Sequence, residues 1–139
     1  MSAFDRDRFV DAQAPVIEQV RRELEAGSKR THWMWFIFPQ LRGLGRSPAA
    51  RHFGLAGQDE ARAYLADPVL GVRLVECTAL VNQVQGKTAR AIFGSPDDLK
   101  FRSCMTLFAT LQPQPFEDAL RKYFHGEPDP MTRELLHAA

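Results

Sequence analysis

Apolar residues recur at steps of three and four along most of the chain, which is the spacing of one face of an α-helix. The first such run covers residues 5–26 and ends at Gly27. Pro15 lies inside it, and a proline in a helix interior kinks the helix or begins a new segment. The run therefore predicts an amphipathic helix that is kinked or divided at Pro15, with an apolar face made by Phe9, Val10, Val16, Ile17, Val20 and Leu24.

Three later helices are indicated by a capping residue followed by proline, at Asp67-Pro68, Ser95-Pro96 and Asp129-Pro130. The capping oxygen accepts a free backbone N–H, and proline at the first helical position loses no needed donor. We therefore predict helices over residues 69–84, 97–111 and 131–138, and shorter ones over 58–66 and 115–124. The core face of the 97–111 helix is expected to carry Leu99, Met105, Leu107 and Phe108.

The segment His32 to Phe38, HWMWFIF, is the one stretch whose aromatic and β-branched content favours a strand. A helix remains open for this segment, because a short apolar run has no decisive period. The predicted fold class is therefore mainly α. We expect a single compact domain over residues 1–139, with about six helices, at least half of the residues helical and at most a short strand at 32–38.

Composition narrows the possible functions. The chain has 139 residues, 45% of them hydrophobic and 25% charged, with a net charge of +1, as in an ordinary globular domain. A net charge this close to zero disfavours dedicated nucleic-acid binding and attraction to a membrane surface. A charged N-terminus and the lack of a long apolar run predict a cytoplasmic protein, which we expect to be a monomer. The two cysteines and four histidines lack metal-ligand spacing, so no metal or cofactor is predicted.

The aromatic segment has two interpretations. In an extended chain, His32 and Gln40 would end one face of the segment, while Trp33 and Trp35 would share the other. All of it could be core. Alternatively, at least one tryptophan lines a pocket for a flat ring, and His32 and Gln40 form the polar rim of that pocket.

Four further residues could carry binding or catalysis. In LRGLGRSPAA, Arg46 and Ser47 precede a helix start and could bind a phosphate, although a plain capped turn is the alternative. Glu60, in the first turn of QDEARAYL, could serve as an acid or base, or could only favour the helix dipole. Lys100 could orient Glu60, or could pair with Asp97 three residues earlier on the same helix.

Three motifs resemble one known family over nearly the whole chain. They are GSKRTHWMWFIFPQLRGLGRS, EARAYLADPVLGVRLVE and IFGSPDDLKFRSCMTLF. In this order they resemble the bacterial family called domain of unknown function 1810, which implies a mainly helical fold. Some members carry the label calpastatin, but such inhibitors are disordered and polar, whereas this chain has the composition of a folded core. A more distant likeness is to NADAR domains, which implies NAD or ADP-ribose chemistry.

These residues and the resemblance lead to three functional hypotheses. The first is a small hydrolase acting on a nucleotide-derived N-glycosidic or ADP-ribosyl bond. In it, Trp33 and Trp35 stack the ring, Arg46 and Ser47 hold phosphate, and Glu60 and Lys100 are catalytic. The second is a module that binds a nucleotide or ADP-ribose without catalysis. The third is a protein-interaction domain, and it predicts that both tryptophans are fully buried.

Overall fold

Ten α-helices make up the ordered framework of residues 4–138, the part of the chain that the computed structural model describes. Helix accounts for 63% of the residues, which confirms the mainly α prediction. The number of helices, about six in the prediction, is wrong. The bounds are α1 Asp7–Gln13, α2 Ile17–Glu25, α3 Met34–Ile37, α4 Pro48–Phe53, α5 Gln58–Ala66, α6 Leu70–Gln83, α7 Ala89–Phe93, α8 Asp97–Ala109, α9 Phe116–Phe124 and α10 Pro130–Ala138.

Of the two conformations left open for residues 32–38, the strand does not form and the helix does. The segment forms the single helical turn α3, in which the amides of Ile37 and Phe38 donate to the carbonyls of Trp33 and Met34. No named strand occurs between residues 4 and 138, and the β-pairing found there is one isolated bridge between Leu41 and Leu55. A helical turn satisfies its backbone groups internally, whereas an extended segment surrounded by helices would have no strand to pair with.

The predicted breaks and caps are mostly observed. The first run divides around Pro15, since α1 ends at Gln13 and α2 begins at Ile17. Asp67 accepts hydrogen bonds from the amides of residues 69 and 70 at 2.9 and 3.0 Å, at the start of α6. Asp129 accepts one from the amide of residue 132 at 2.9 Å, at the start of α10. Ser95 makes no such cap, because Pro96 is the N-cap of α8.

Helix α8 lies at the centre of the fold. It packs against α3, α5, α7, α9 and α10, and six consecutive residues from Ser103 to Phe108 are buried. A helix that is apolar around most of its circumference is typically surrounded by other elements. Aromatic rings fill the space around α8: Phe101 packs on Phe93 and Phe38, and Phe108 packs on Tyr64 and Phe116. The first turn of α8, by contrast, reaches the surface and carries the charged residues Asp97 and Lys100.

Cys77 and Cys104 are free thiols buried in the core. Burial raises the pKa of both, that of Cys77 to about 12. Among residues 4–138, no helix is both long and apolar enough to cross a membrane. The same residues contain no cluster of three or more histidine, cysteine or acidic side chains that could hold a metal ion.

Candidate functional site

The two tryptophans of the aromatic segment have different environments. Trp33 is 1% exposed and belongs to the core. Trp35, two residues later, is half-buried and forms part of the wall of a surface cleft. Because α3 is a helical turn, residues two apart point in different directions rather than to one face. The burial of both tryptophans, which the protein-interaction hypothesis predicts, is therefore not observed, and Trp35 is the tryptophan that a ligand can reach.

Glu23 on α2 holds the beginning of this segment. Its carboxylate accepts hydrogen bonds from Trp33 Nε1 at 3.0 Å and from Thr31 Oγ1 at 2.6 Å. The amides of Arg30 and Thr31 and the Gln19 side chain also donate to it. Burial alone would raise the pKa of Glu23, but these hydrogen bonds outweigh it and lower the pKa to about 2. Glu23 is therefore ionised at neutral pH, and it orders the chain immediately before α3.

We call the cavity beside Trp35 the Trp35 cleft. It has a volume of about 430 Å³, and its polar lining comes from Gln40, Arg46, Ser47, Lys100, Ser103 and Asp129. The 40–47 loop, the first turns of α8 and the start of α10 meet there. Five residues predicted for ligand binding or catalysis are thus brought together: Trp35, Gln40, Arg46, Ser47 and Lys100.

Three charged side chains, linked by two ion pairs, lie at the edge of the Trp35 cleft. Lys29 Nζ lies 2.9 Å from Asp97 Oδ2, and Lys100 Nζ lies 3.3 Å from Asp97 Oδ1. The Lys29 side chain is 7% exposed, and its ammonium lies over the buried Trp33 ring. One carboxylate thus balances two ammonium groups, which leaves one net positive charge. This excess is available at the cleft through Lys100, the more exposed of the two lysines.

Lys100 also contacts the aromatic wall. Its Nζ lies 5.1 Å from the centre of the Trp35 ring, within the range of a cation–π interaction. A tryptophan face, a cation and an amide are therefore close together in one surface cleft. This combination suits a ligand that has both a flat ring and an anionic group.

The remaining polar groups of the cleft are of two kinds. Within the part of the chain described here, the side chains of Gln40 and Arg46 make no hydrogen bond or ion pair, so both can serve a ligand. The others already have partners. Ser47 Oγ accepts from the Ala50 amide at 3.1 Å, and Ser103 Oγ donates to the Leu99 carbonyl at 3.1 Å. The serines therefore help to shape the cleft as well as line it.

A sequence model for a protein family of unknown function, DUF1810, matches residues 3–136. The chain belongs to this family. It is also similar to a solved structure, the conserved hypothetical protein Rv1873 from Mycobacterium tuberculosis. The two are 56% identical over 98% of this chain and 99% of that chain, with a TM-score of 0.96. No curated protein matches the chain. Neither match shows a likeness to NADAR domains.

In this DUF1810 chain, Glu60 and Lys100 line different clefts. Glu60 Oε1 accepts from the Ala56 amide at 2.9 Å and lies 3.6 Å from Arg8 Nη2. It borders a second cavity of about 500 Å³ whose lining includes Leu135 but neither Trp35 nor Lys100. Glu60 thus stabilises the beginning of α5, and Lys100 has Asp97 as its acidic partner instead. A catalytic role for Glu60 and Lys100 remains a prediction from the sequence.

His32 and Trp33 also lie outside the Trp35 cleft of this family member. His32 is exposed at the beginning of the aromatic segment, and Trp33 is enclosed in the core. The predicted strand would have put His32 and Gln40 at the ends of one face. Since the segment is helical, only Gln40 reaches the cleft.

Sequence reasoning missed two apolar residues of the site. Leu99 was expected in the core but is 55% exposed, and Met131 is 54% exposed. Both line the Trp35 cleft. The helical period placed Leu99 on an apolar face, but in the folded protein Leu99 lies on the side of α8 that lines the Trp35 cleft. Lys29 was missed as well, since its pairing with Asp97 joins segments far apart in the chain.

Proposed function

We propose that the protein binds a small ligand of the nucleotide class, with a flat ring and an anionic group, in the Trp35 cleft. The observation that carries the proposal is the half-buried Trp35 ring with the Lys100 ammonium 5.1 Å from its centre. An aromatic face is a general stacking surface for nucleobases and similar rings. The adjacent cation supplies the attraction for a phosphate or carboxylate group.

The dimensions and lining of the Trp35 cleft support the same proposal. Its volume of about 430 Å³ lies within the ordinary range of small-molecule sites, about 300–1,000 Å³. Gln40 offers an amide that can both donate to and accept from a ring edge. Arg46 adds a second cation to the lining, and its planar guanidinium can contact two oxygens of one anion. Apolar contact comes from Leu99 and Met131.

Hydrolysis of an N-glycosidic or ADP-ribosyl bond is the further prediction from the sequence. Such a reaction needs a carboxylate beside the bound ring to act as acid, base or stabilising charge. Asp129 is the carboxylate among the described lining residues, and its Oδ2 accepts from the amide and the hydroxyl of Thr132. Binding without catalysis is therefore the better supported function. Incubation with NAD and ADP-ribose, followed by chromatography of the products, tests the hydrolase.

The exposed Leu99 and Met131 favour a second candidate, a protein partner at the same place. They are two of the three large apolar side chains that are exposed among the described residues. Exposed apolar residues next to each other are common at interaction sites. The nucleotide proposal is preferred because the charged and aromatic groups converge inside a cleft rather than on a flat surface.

Isothermal titration calorimetry with AMP, NAD and ADP-ribose tests the nucleotide proposal. We expect saturable binding of at least one of them. Trp35→Leu should weaken that binding by roughly 5- to 100-fold, the effect of one lost stacking contact. Arg46→Gln should also weaken it, whereas Arg90→Gln, a matched change at an exposed arginine on α7, should not. If none of the three compounds binds, the proposal is wrong.

A further inference from the structure

We infer that Lys100 covers the ring-binding face of Trp35 in the free protein and exchanges this contact for the ligand's anion when the ligand's ring stacks there. The inference rests on the proposed function and specifies its ligand class. The ligand must carry the ring and the anion in one molecule, as a nucleoside monophosphate does. Either group by itself would not complete the exchange.

The first observation concerns the two cavities that Trp35 borders. One is the Trp35 cleft, which Lys100 also lines, and Lys100 Nζ lies over the ring at 5.1 Å from its centre. Trp35 also borders a much smaller cavity, which Phe53 and Leu41 line as well. Its volume is about 10 Å³. Such a space is about that of one water molecule and cannot admit a ring. A flat ligand therefore has to stack from the Trp35 cleft, where the Lys100 ammonium now lies.

The second observation is that Lys100 can leave Trp35 without leaving a charge unbalanced. Asp97 is already paired with Lys29, whose Nζ lies 2.9 Å from Oδ2 and whose side chain is 7% exposed. If Lys100 turns towards an anion, the ion pair between Lys29 and Asp97 remains. The Lys100 side chain is 28% exposed, so its ammonium has room to move in the cleft. Asp97 thus keeps Lys100 near the ring, but because Asp97 also pairs with Lys29, its charge stays balanced when Lys100 moves.

The exchange has a consequence for specificity. An uncharged ring has to displace the ammonium from Trp35 and gives it no new partner, so its binding is weakened by the lost cation–π contact. An anion without a ring gains the charge of Lys100 and Arg46 but leaves Trp35 unstacked. A molecule with both groups replaces the cation–π contact by a stacked ring and a charge-assisted hydrogen bond. Affinity for the joined molecule should then exceed that for either part.

Calorimetry with AMP, adenosine and ribose 5-phosphate tests the exchange. In the wild-type protein, AMP should bind more tightly than either of the other two. Lys100→Met keeps an unbranched side chain and removes its charge. It should weaken AMP binding by about tenfold or more and strengthen adenosine binding by roughly two- to fivefold, because the ring no longer competes with an ammonium. Arg46→Met is the matched control: it should weaken AMP binding without strengthening adenosine binding.

A second measurement uses the wild-type protein alone and does not depend on the variant folding. The ε-methylene group of Lys100 is bonded to Nζ, which lies 5.1 Å from the centre of the Trp35 ring, so the ring current should shift its proton NMR signals upfield. Saturation with AMP should move those signals downfield as Lys100 leaves the ring. Signals that stay upfield in the AMP complex would contradict the exchange.

The outcomes separate this inference from the proposed function. If AMP, NAD and ADP-ribose all fail to bind, both are overturned. If another of these compounds binds and AMP does not, the ligand class inferred here is wrong while nucleotide binding stands. If AMP binds and Lys100→Met leaves adenosine binding unchanged or weakens it, the exchange is wrong, and Lys100 contributes only charge or structure.

Discussion

Trp33 Nε1 donates a hydrogen bond to Glu23 Oε1 at 3.0 Å inside the core of the protein. This bond ties the aromatic segment to α2, so that the segment enters α3 in a defined orientation. Trp35 follows within α3 and lies at the surface, where it forms the wall of the Trp35 cleft. The buried tryptophan thus orders the segment, and the half-buried one lines the cleft.

Glu23→Gln should lower the free energy of unfolding at pH 7 by about 2–4 kcal/mol, because the variant loses a charged acceptor of five hydrogen bonds. The pKa of Glu23 is about 2 in the folded protein, below its ordinary value of 4.5. A lowered pKa stabilises the fold above the unfolded-state pKa, and this stabilisation is lost as the pH falls through the folded-state pKa. Denaturant melts from pH 7 down to pH 2 measure this dependence.

The contribution of Glu23 should be fully present above about pH 5 and should decline between about pH 5 and pH 2. The difference between wild type and Glu23→Gln should shrink over the same window. Glu25→Gln, at an exposed position on the same helix, is the matched control and should change stability little at any pH. A difference for Glu23→Gln that stays constant from pH 7 to pH 2 would contradict the ionised state.

Phe108→Ala should lower the free energy of unfolding by about 3–5 kcal/mol, the cost of removing a buried aromatic ring and leaving a cavity. Phe108 is fully buried, and the centre of its ring lies 5.7 Å from that of Tyr64 and 5.6 Å from that of Phe116. Leu99→Ala on the same helix should cost less than about 1 kcal/mol because Leu99 is 55% exposed. Equal losses for the two variants in denaturant melts would mean that the orientation of α8 is wrong.

Gln40→Ala should leave stability within about 1 kcal/mol of wild type, since among residues 4–138 its amide has no partner that the change would leave unsatisfied. Affinity for the best nucleotide should nevertheless fall by about tenfold, as for one lost hydrogen bond in a site. His32→Ala should change neither quantity, because His32 is exposed and lies outside the Trp35 cleft. Thermal melts and calorimetry distinguish these cases. A large loss of stability in Gln40→Ala with unchanged affinity would mean a structural role for Gln40.

Gly71→Ala should destabilise the fold by about 1–3 kcal/mol, the typical cost of overpacking a core. A β-carbon at this buried position would lie 2.0 Å from the Leu65 carbonyl oxygen, so α5 and α6 would have to move apart. Gly57→Ala is the control, because a β-carbon there meets nothing within 4 Å. It should cost less than about 1 kcal/mol in the same denaturant melts.

Local signals in the sequence determined most of the helices. The sequence pattern predicts α5, α6, α8, α9 and α10 with ends within two residues of those observed, and the caps at Asp67 and Asp129 form as expected. Periodicity and capping can be read from sequence because they depend on neighbours three and four positions apart. The same signals failed for residues 32–38, where a continuous apolar run has no period and the surrounding helices decide its conformation.

Only the tertiary structure decided which predicted residues share a site. It buried Trp33 against Glu23, left Trp35 at a cleft, and exposed Leu99 on a helix whose later turns are fully covered. It also paired Lys100 with Asp97 and Lys29, while Glu60 took its own partners in another cleft. Burial and ion pairing between distant segments depend on how the helices pack around α8. Such packing is a property of the whole chain, which no window of neighbouring residues contains.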